Sequence, residues 1–260
     1  MSQQDQADKF RALHVKGDPL IIYNIWNAGS AKVVEAAGAK ALATGSAPVA
    51  LVNGYEDGEK IPIELALDNI ERIVEAVDLP VSMDIEGAYG EDPAVVARNI
   101  GRGISAGAIG FNFEDKVIGG EGVHDLDKQC IRLQAARTVC DGSGFSAFLN
   151  ARTDICLDAK KNGEPITPDM LDEVIARGRA YADVGADGFF VPGLTDIGMI
   201  KTLCNAIELP INIIAVPDSP ENKMLALAGV ARISYGGTVY KQMFEWLGEQ
   251  AKATFASLEG

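Results

Sequence analysis

Leu79-Pro80-Val81-Ser82-Met83-Asp84-Ile85-Glu86-Gly87-Ala88-Tyr89-Gly90 carries, in one stretch, a helix stop, a short buried strand and a glycine-bearing loop with two carboxylates. Proline prevents the preceding helical pattern from continuing. Asp84 and Glu86 are two residues apart, so on an extended backbone they point to one face. The same grammar recurs at Ala106-Gly107-Ala108, where the apolar run Ile109 to Phe113 leads into a second acidic pair, Glu114-Asp115. Carboxylates gathered at strand ends, with few cations beside them in sequence, repel one another unless a hard divalent cation neutralises them.

Working outward, the helix-to-strand junction repeats along the chain. Ala37-Gly38-Ala39, Val184-Gly185-Ala186 and Ala228-Gly229-Val230 match the glycine type, and Leu209-Pro210 matches the proline type. Each junction feeds a short β-rich run, and Leu20 to Ile25 and Ser146 to Asn150 bring the strands to eight. Between them lie segments of helical period, Ile63–Val77, Pro93–Ser105, Asp127–Val139 and Pro168–Asp183, with Asp92 and Thr167 as N-caps before proline. Eight strands alternating with helices predict a (β/α)8 TIM-type barrel, read as one domain over residues 1–260. A doubly wound sheet is the rival, and the glycine fingerprint it needs after its first strand is missing.

Composition narrows the function classes. The chain has 260 residues, 47% of them hydrophobic, and a formal net charge of -14. That charge argues against nucleic acid and anionic membrane surfaces. No apolar run approaches a membrane span and the start is polar, so the expected location is the cytoplasm. Cys130, Cys140, Cys156 and Cys204 are scattered without a C-x-x-C pair, which points to free thiols and away from zinc. His14 and His124 lie far apart and form no Ser-His-Asp grouping.

In a barrel of this kind, chemistry sits where strands end and loops begin. The predicted ends carry Asn24, Gly45-Ser46, Asp84 and Glu86, Asn112 and Glu114, Asn150, Arg152 and Asp154, then Asn212 and Ser234-Tyr235. Gly45-Ser46, Asp84-Ile85-Glu86-Gly87-Ala88-Tyr89-Gly90, Glu114-Asp115-Lys116 and Asn150-Ala151-Arg152-Thr153-Asp154 follow consecutive strands. In that order they resemble the isocitrate lyase/phosphoenolpyruvate mutase superfamily. The resemblance runs from about Tyr23 to about Tyr240.

That resemblance implies a Mg²⁺-dependent enzyme (Mn²⁺ as a substitute) acting on a small 2-oxo or 2-hydroxy acid. Asp84, Glu86 and Glu114 would hold the metal directly or through waters. Ser46 and Arg152 would bind the substrate, Arg152 also being a catalytic candidate, and Gly45, Tyr23, Asn112 and Asn212 are further substrate-binding candidates. The resemblance also implies tetramers that exchange a C-terminal helix, here about residues 237–260, so a homo-oligomer, dimer or tetramer, is expected. The residues depart from the family pattern as well. Glu86 stands where the acidic motif usually has aspartate. The loop Val117 to His124 lacks both the cysteine of the lyases and the Lys-Thr-Asn of the C–P enzymes, and Pro192-Gly193 stands where some members have histidine. Glu121 and His124 are the loop residues able to act as acid or base. The expected activity is a carbon–carbon lyase outside the best-known reactions. The alternatives are phosphonomutase or phosphonopyruvate hydrolase chemistry, and a barrel that binds 2-oxo acids without turnover.

Overall fold

The computed structural model describes residues 2–257. The chain runs α1 (Gln3–Ala12), β1 (Leu20–Ile22), α2 (Ala28–Ala36), β2 (Leu42–Ala43), α3 (Ser46–Val52), α4 (Ile63–Ala76), β3 (Val81–Asp84), α5 (Pro93–Ser105), β4 (Gly110–Glu114) and α6 (Leu126–Gly142). It continues through β5 (Phe148–Arg152), α7 (Ile155–Lys161), α8 (Pro168–Asp183), β6 (Gly188–Phe190), α9 (Ile197–Ala206), β7 (Ile211–Ile214), α10 (Asn222–Leu227), β8 (Arg232–Ser234) and α11 (Thr238–Ala256).

The strands form one parallel sheet in the order β1-β8-β7-β6-β5-β4-β3-β2. Its two edges meet just beyond the strand ends, at a parallel bridge between Ile25 and Thr44, where Ile25 N–H donates to the Ala43 carbonyl at 3.0 Å. This is the (β/α)8 barrel that the alternating pattern predicts. The junction glycines explain its regularity. Gly38, Gly107, Gly185 and Gly229 all have φ between +93° and +100°, the left-handed stop that a side chain would resist. The expected caps form too, with Asp92 accepting from Ala94 N–H at 2.7 Å and Thr167 from Met170 N–H at 3.2 Å.

Three features position the rest. First, α1, which the polar N-terminus hides, closes the N-terminal mouth of the barrel. A Ser2/Asp5 capping box starts it, and its buried Phe10 packs edge-on against Phe148 with His14 stacked on the same ring. Second, the lumen is unusually polar. Barrel interiors are mostly filled by branched apolar side chains, yet Ser82, Asn112, Asn150, Asn212, Arg232 and Ser234 are all buried here. Third, α11 buries Tyr240 against Trp26 and then leaves the barrel, with Trp246 60% and Phe255 71% exposed. Residues 258–260, the end of the expected terminal helix, lie outside the described residues. No described helix is long and apolar enough to cross a membrane.

Candidate active site

The C-terminal ends of the strands surround a cavity of about 470 Å³. Its wall over β2, β3 and β4 is acidic, formed by Asp57, Asp84, Glu86 and Glu114. Asp84 ends β3 with one oxygen accepting from Ser46 N–H at 3.1 Å, while its Oδ1 is buried with no protein partner among the described residues. Burial raises its pKa and the charge of Asp57 adds to this, against the pull of Arg152 and Ser46. Burial likewise pushes Glu86 up to about 8, with repulsion from Asp57 and Asp84 adding to it. Glu114 is raised by burial and by Asp154, Asp84 and Glu86, against the attraction of Arg152. A cluster that resists ionisation in this way is held together by a cation or by protons.

Glu86 does not reach the site by strand alternation. β3 ends at Asp84, and Glu86 takes a left-handed conformation with φ 53°, followed by Ala88 at 62° and Tyr89 at 56°. Such residues persist only where their surroundings over-determine them. Here Arg132 donates to the carbonyls of Gly87 at 2.6 Å and Gly90 at 3.1 Å, and Asn99 donates to that of Ala88 at 2.9 Å. Glu86 Oε2 in turn accepts from Gly58 N–H at 3.0 Å and Glu59 N–H at 2.9 Å, and Glu59 Oε1 accepts from Tyr89 N–H at 2.7 Å. This two-way latch brings in Asp57, which the sequence reading missed. Its signal was the Asp57-Gly58 turn pair in the segment after β2.

Arg152 crosses the cavity floor. Its Nε and Nη2 donate to the two oxygens of Asp154 at 2.6 and 2.8 Å, and Nη1 lies 2.7 Å from Glu114 Oε2. Burial works against its charge, but Asp154, Glu114 and Asp84 overcome that and raise its pKa. Its bidentate edge is therefore engaged by Asp154, and a substrate would meet only its remaining donors. Gly45, Ser46 and Asn112 line the cavity as expected.

Four expected residues do not. Asn212 is buried in the lumen and is not part of the cavity lining, because its strand carries it too low. Tyr23 faces outward from the end of β1, 41% exposed, in a groove on the outer wall. Glu121 is exposed at the tip of the 117–124 loop, and His124 is buried behind it, its N–H bonded to the Asp115 carbonyl at 2.7 Å. Gly119 and Gly120 of this loop line the cavity with Val117 and Ile118. The free cations of the wall are instead Lys161 and Lys241, which make no ion pair among the described residues; Lys116 is bound to Asp158 at 2.7 Å.

The donor set suits a hard divalent ion completed by water. Among the described residues no three acidic, histidine or cysteine side chains converge closely enough to enclose an ion unaided. Mg²⁺ commonly binds through one or two carboxylates and keeps several waters. Asp84 Oδ1 offers the unpartnered buried oxygen for direct ligation, with Glu86 and Glu114 placed beside it.

The titration of this cluster is testable through stability. A carboxyl at about 8 when folded, against 4.5 ordinarily, binds more protons in the folded state across that interval. Folding stability in EDTA therefore falls as pH rises from about 4.5 to about 8. Glu86→Gln flattens that slope in denaturant titrations, and an unchanged slope would place the titrating group elsewhere.

A (β/α)8 barrel with an acidic, oxygen-rich cavity at its strand ends has the layout of a barrel enzyme, whose chemistry sits at that rim. The chain belongs to the phosphoenolpyruvate phosphomutase family, whose sequence profile matches residues 10–255, and so to the isocitrate lyase/phosphoenolpyruvate mutase superfamily. A candidate phosphonomutase from Burkholderia cenocepacia J2315 is 44% identical and superposes with a TM-score of 0.94, over 97% of this chain and 100% of that one. The 2-methylisocitrate lyase of Escherichia coli (strain K12) is 28% identical over 212 residues, 81% of this chain and 70% of that protein. A phosphonopyruvate hydrolase solved with oxalate and Mg²⁺ shares the fold at 19% identity, with a TM-score of 0.82 over 99% of this chain and 88% of that one.

Proposed function

We propose that the protein is a Mg²⁺-dependent lyase that breaks a carbon–carbon bond in a small 2-oxo or 2-hydroxy acid, by retro-aldol cleavage or decarboxylation. The observation that carries this reading is the unpartnered, buried Asp84 Oδ1 set among Asp57, Glu86 and Glu114 in an open rim cavity. Asp84, Glu86 and Glu114 would hold the ion, Asp84 directly. When bound, it supplies Lewis-acid stabilisation of charge developing on the substrate's oxo oxygen.

The chain's own residues bind and orient the substrate. Ser46 and Ala47, in the first turn of α3, line the cavity from one side, and backbone N–H groups of a first helical turn have no intrahelical partner. Arg152 presents its remaining donors from the floor, held in place by Asp154. The apolar part of the 117–120 segment excludes water when it closes. Lys161 and Lys241 sit on the wall as the free cationic groups able to neutralise a second acid group of the substrate.

A second reading, C–P bond chemistry, is favoured by the 44% identity to a candidate phosphonomutase. One experiment separates the two: melting temperature against oxalate, pyruvate, oxaloacetate, malate, methylisocitrate and phosphonopyruvate, each with and without Mg²⁺. A ligand at about 100 times its dissociation constant adds about 2.7 kcal/mol. A shift for oxalate and a carbon acid that requires Mg²⁺ supports the lyase, and a shift for phosphonopyruvate above all others moves the assignment to C–P chemistry. No shift with any compound removes the reading. We also propose that two copies pair through α11.

A further inference from the structure

Beneath the rim, the polar lumen contains a charged side chain that the catalytic reading does not use. Arg232, the first residue of β8, is 0% exposed. Its Nε donates to Ser234 Oγ at 3.2 Å, and Ser234 donates to Asn212 Oδ1 at 3.1 Å. Arg232 and Asn212 are direct register partners across β8 and β7, so their side chains are neighbours in the lumen. Arg232 Nη1 and Nη2 and the Asn212 amide nitrogen have no protein acceptor among the described residues, and Ser82 Oγ, on the inward face of β3, is likewise without a partner. The guanidinium lies 5.9 Å from the Phe10 ring of α1, which closes the lumen from below.

This set is rich in donors, and the unpartnered buried acceptors coupled to its charge, Asp84 Oδ1 and His14 Nε2, make no hydrogen bond to it. An arginine presents five N–H donors and no acceptor, and the free end of Asn212 is also a donor. Arg232 forms no ion pair among the described residues, and Asp84 is the carboxylate whose field reaches it. A buried charge without a contacting partner costs several kcal/mol, and unsatisfied donors add to that cost. Water could satisfy the hydrogen bonds but would leave the charge. A small anion meets both demands.

We infer that the barrel lumen below the catalytic cavity is a binding site for a small monovalent anion of the halide class, held by the Arg232 guanidinium and the Asn212 amide. Neither Arg232 nor Asn212 lines the catalytic cavity, and Ser234, which bonds both, forms the boundary between that cavity and the site below it. Its occupant is a structural ion that charge-balances the interior.

Crystals of the full chain soaked in sodium bromide test this by anomalous scattering. The expected result is a bromide peak in contact with the Arg232 guanidinium and the Asn212 amide. Solvent oxygen alone at that position, with no anomalous signal, overturns the proposal. In solution, replacing gluconate by chloride at constant ionic strength raises the melting temperature of the parent protein by several degrees. Arg232→Met keeps the apolar stem, removes the charge and abolishes the chloride dependence. A chloride effect of the same size in Arg232→Met would locate the ion elsewhere, for example at Arg152, and would also overturn the proposal. Should Arg232→Met fail to fold, Asn212→Ala, which lowers the bromide peak while leaving the charge, takes its place.

Discussion

Asp84→Ala abolishes Mg²⁺-dependent binding of oxalate and leaves the barrel folded. The carboxylate offers one oxygen to Ser46 N–H and keeps Oδ1 buried without a protein partner, so its removal would delete the proposed direct ligand while breaking only its bonding to Ser46. Loss of an outer partner of a metal ligand already costs 10–100-fold in affinity, and loss of the ligand itself is expected to exceed about 100-fold. Stability moves differently. Asp84 adds to the repulsion on Glu86 and Glu114, and relief of that repulsion offsets the lost attraction to Arg152. In EDTA the variant therefore melts within a few degrees of the parent. Isothermal titration with Mg²⁺ and oxalate, beside a melting curve, checks both halves. Oxalate affinity equal to the parent's would remove Asp84 from the metal site, and unfolding of the variant would make it a structural residue.

The contrast between Asp84 and Glu86 shows what the sequence could carry. Strand identity, junction glycines and the acidic rim were legible because each depends on local chemistry: apolar runs, a left-handed stop and charge at a strand end. Asp84, Glu114, Ser46 and Arg152 all fell on the cavity because strands of a barrel deliver their ends to one rim. Glu86 also reached it, but through a run of left-handed residues clamped by Arg132 from α6, a contact between segments far apart in sequence. Asp57 was hidden for the same reason, since its place depends on the latch between its turn and the loop after β3. Glu121 and His124 were chosen for chemical type alone, and the course of their loop takes one to solvent and buries the other. Tyr23 and Asn212 show the limit of alternation: a shift of one residue turns a side chain to the outer wall, and a shift down the strand sinks it below the cavity.

Trp246→Asp combined with Phe244→Asp is expected to leave a monomer where we propose that copies of the parent pair through α11. Each strand of a (β/α)8 barrel is normally followed by a helix that covers the outside of the sheet. α11 follows β8 but buries only Tyr240 among its described side chains, leaving Met243, Phe244, Trp246 and Leu247 exposed by 38–60%. Over β1, beside β8, the outer wall has the complementary deficit, a groove of about 560 Å³ lined by Leu13, Val15, Ile21, Tyr23, Val33 and Val34. An apolar helix without a floor and an apolar floor without a helix on one chain are satisfied together when two copies exchange α11 about a twofold axis. Symmetry doubles every loss. A buried interface tryptophan is worth about 2 kcal/mol or more, so the paired substitution weakens association by about 1000-fold. Light scattering is expected to give the mass of a dimer or tetramer for the parent and of a monomer for the variant. The monomer also melts earlier, because the wall over β1 loses its cover. A parent protein that is already monomeric at micromolar concentration, or a variant whose mass is unchanged, would refute the exchange.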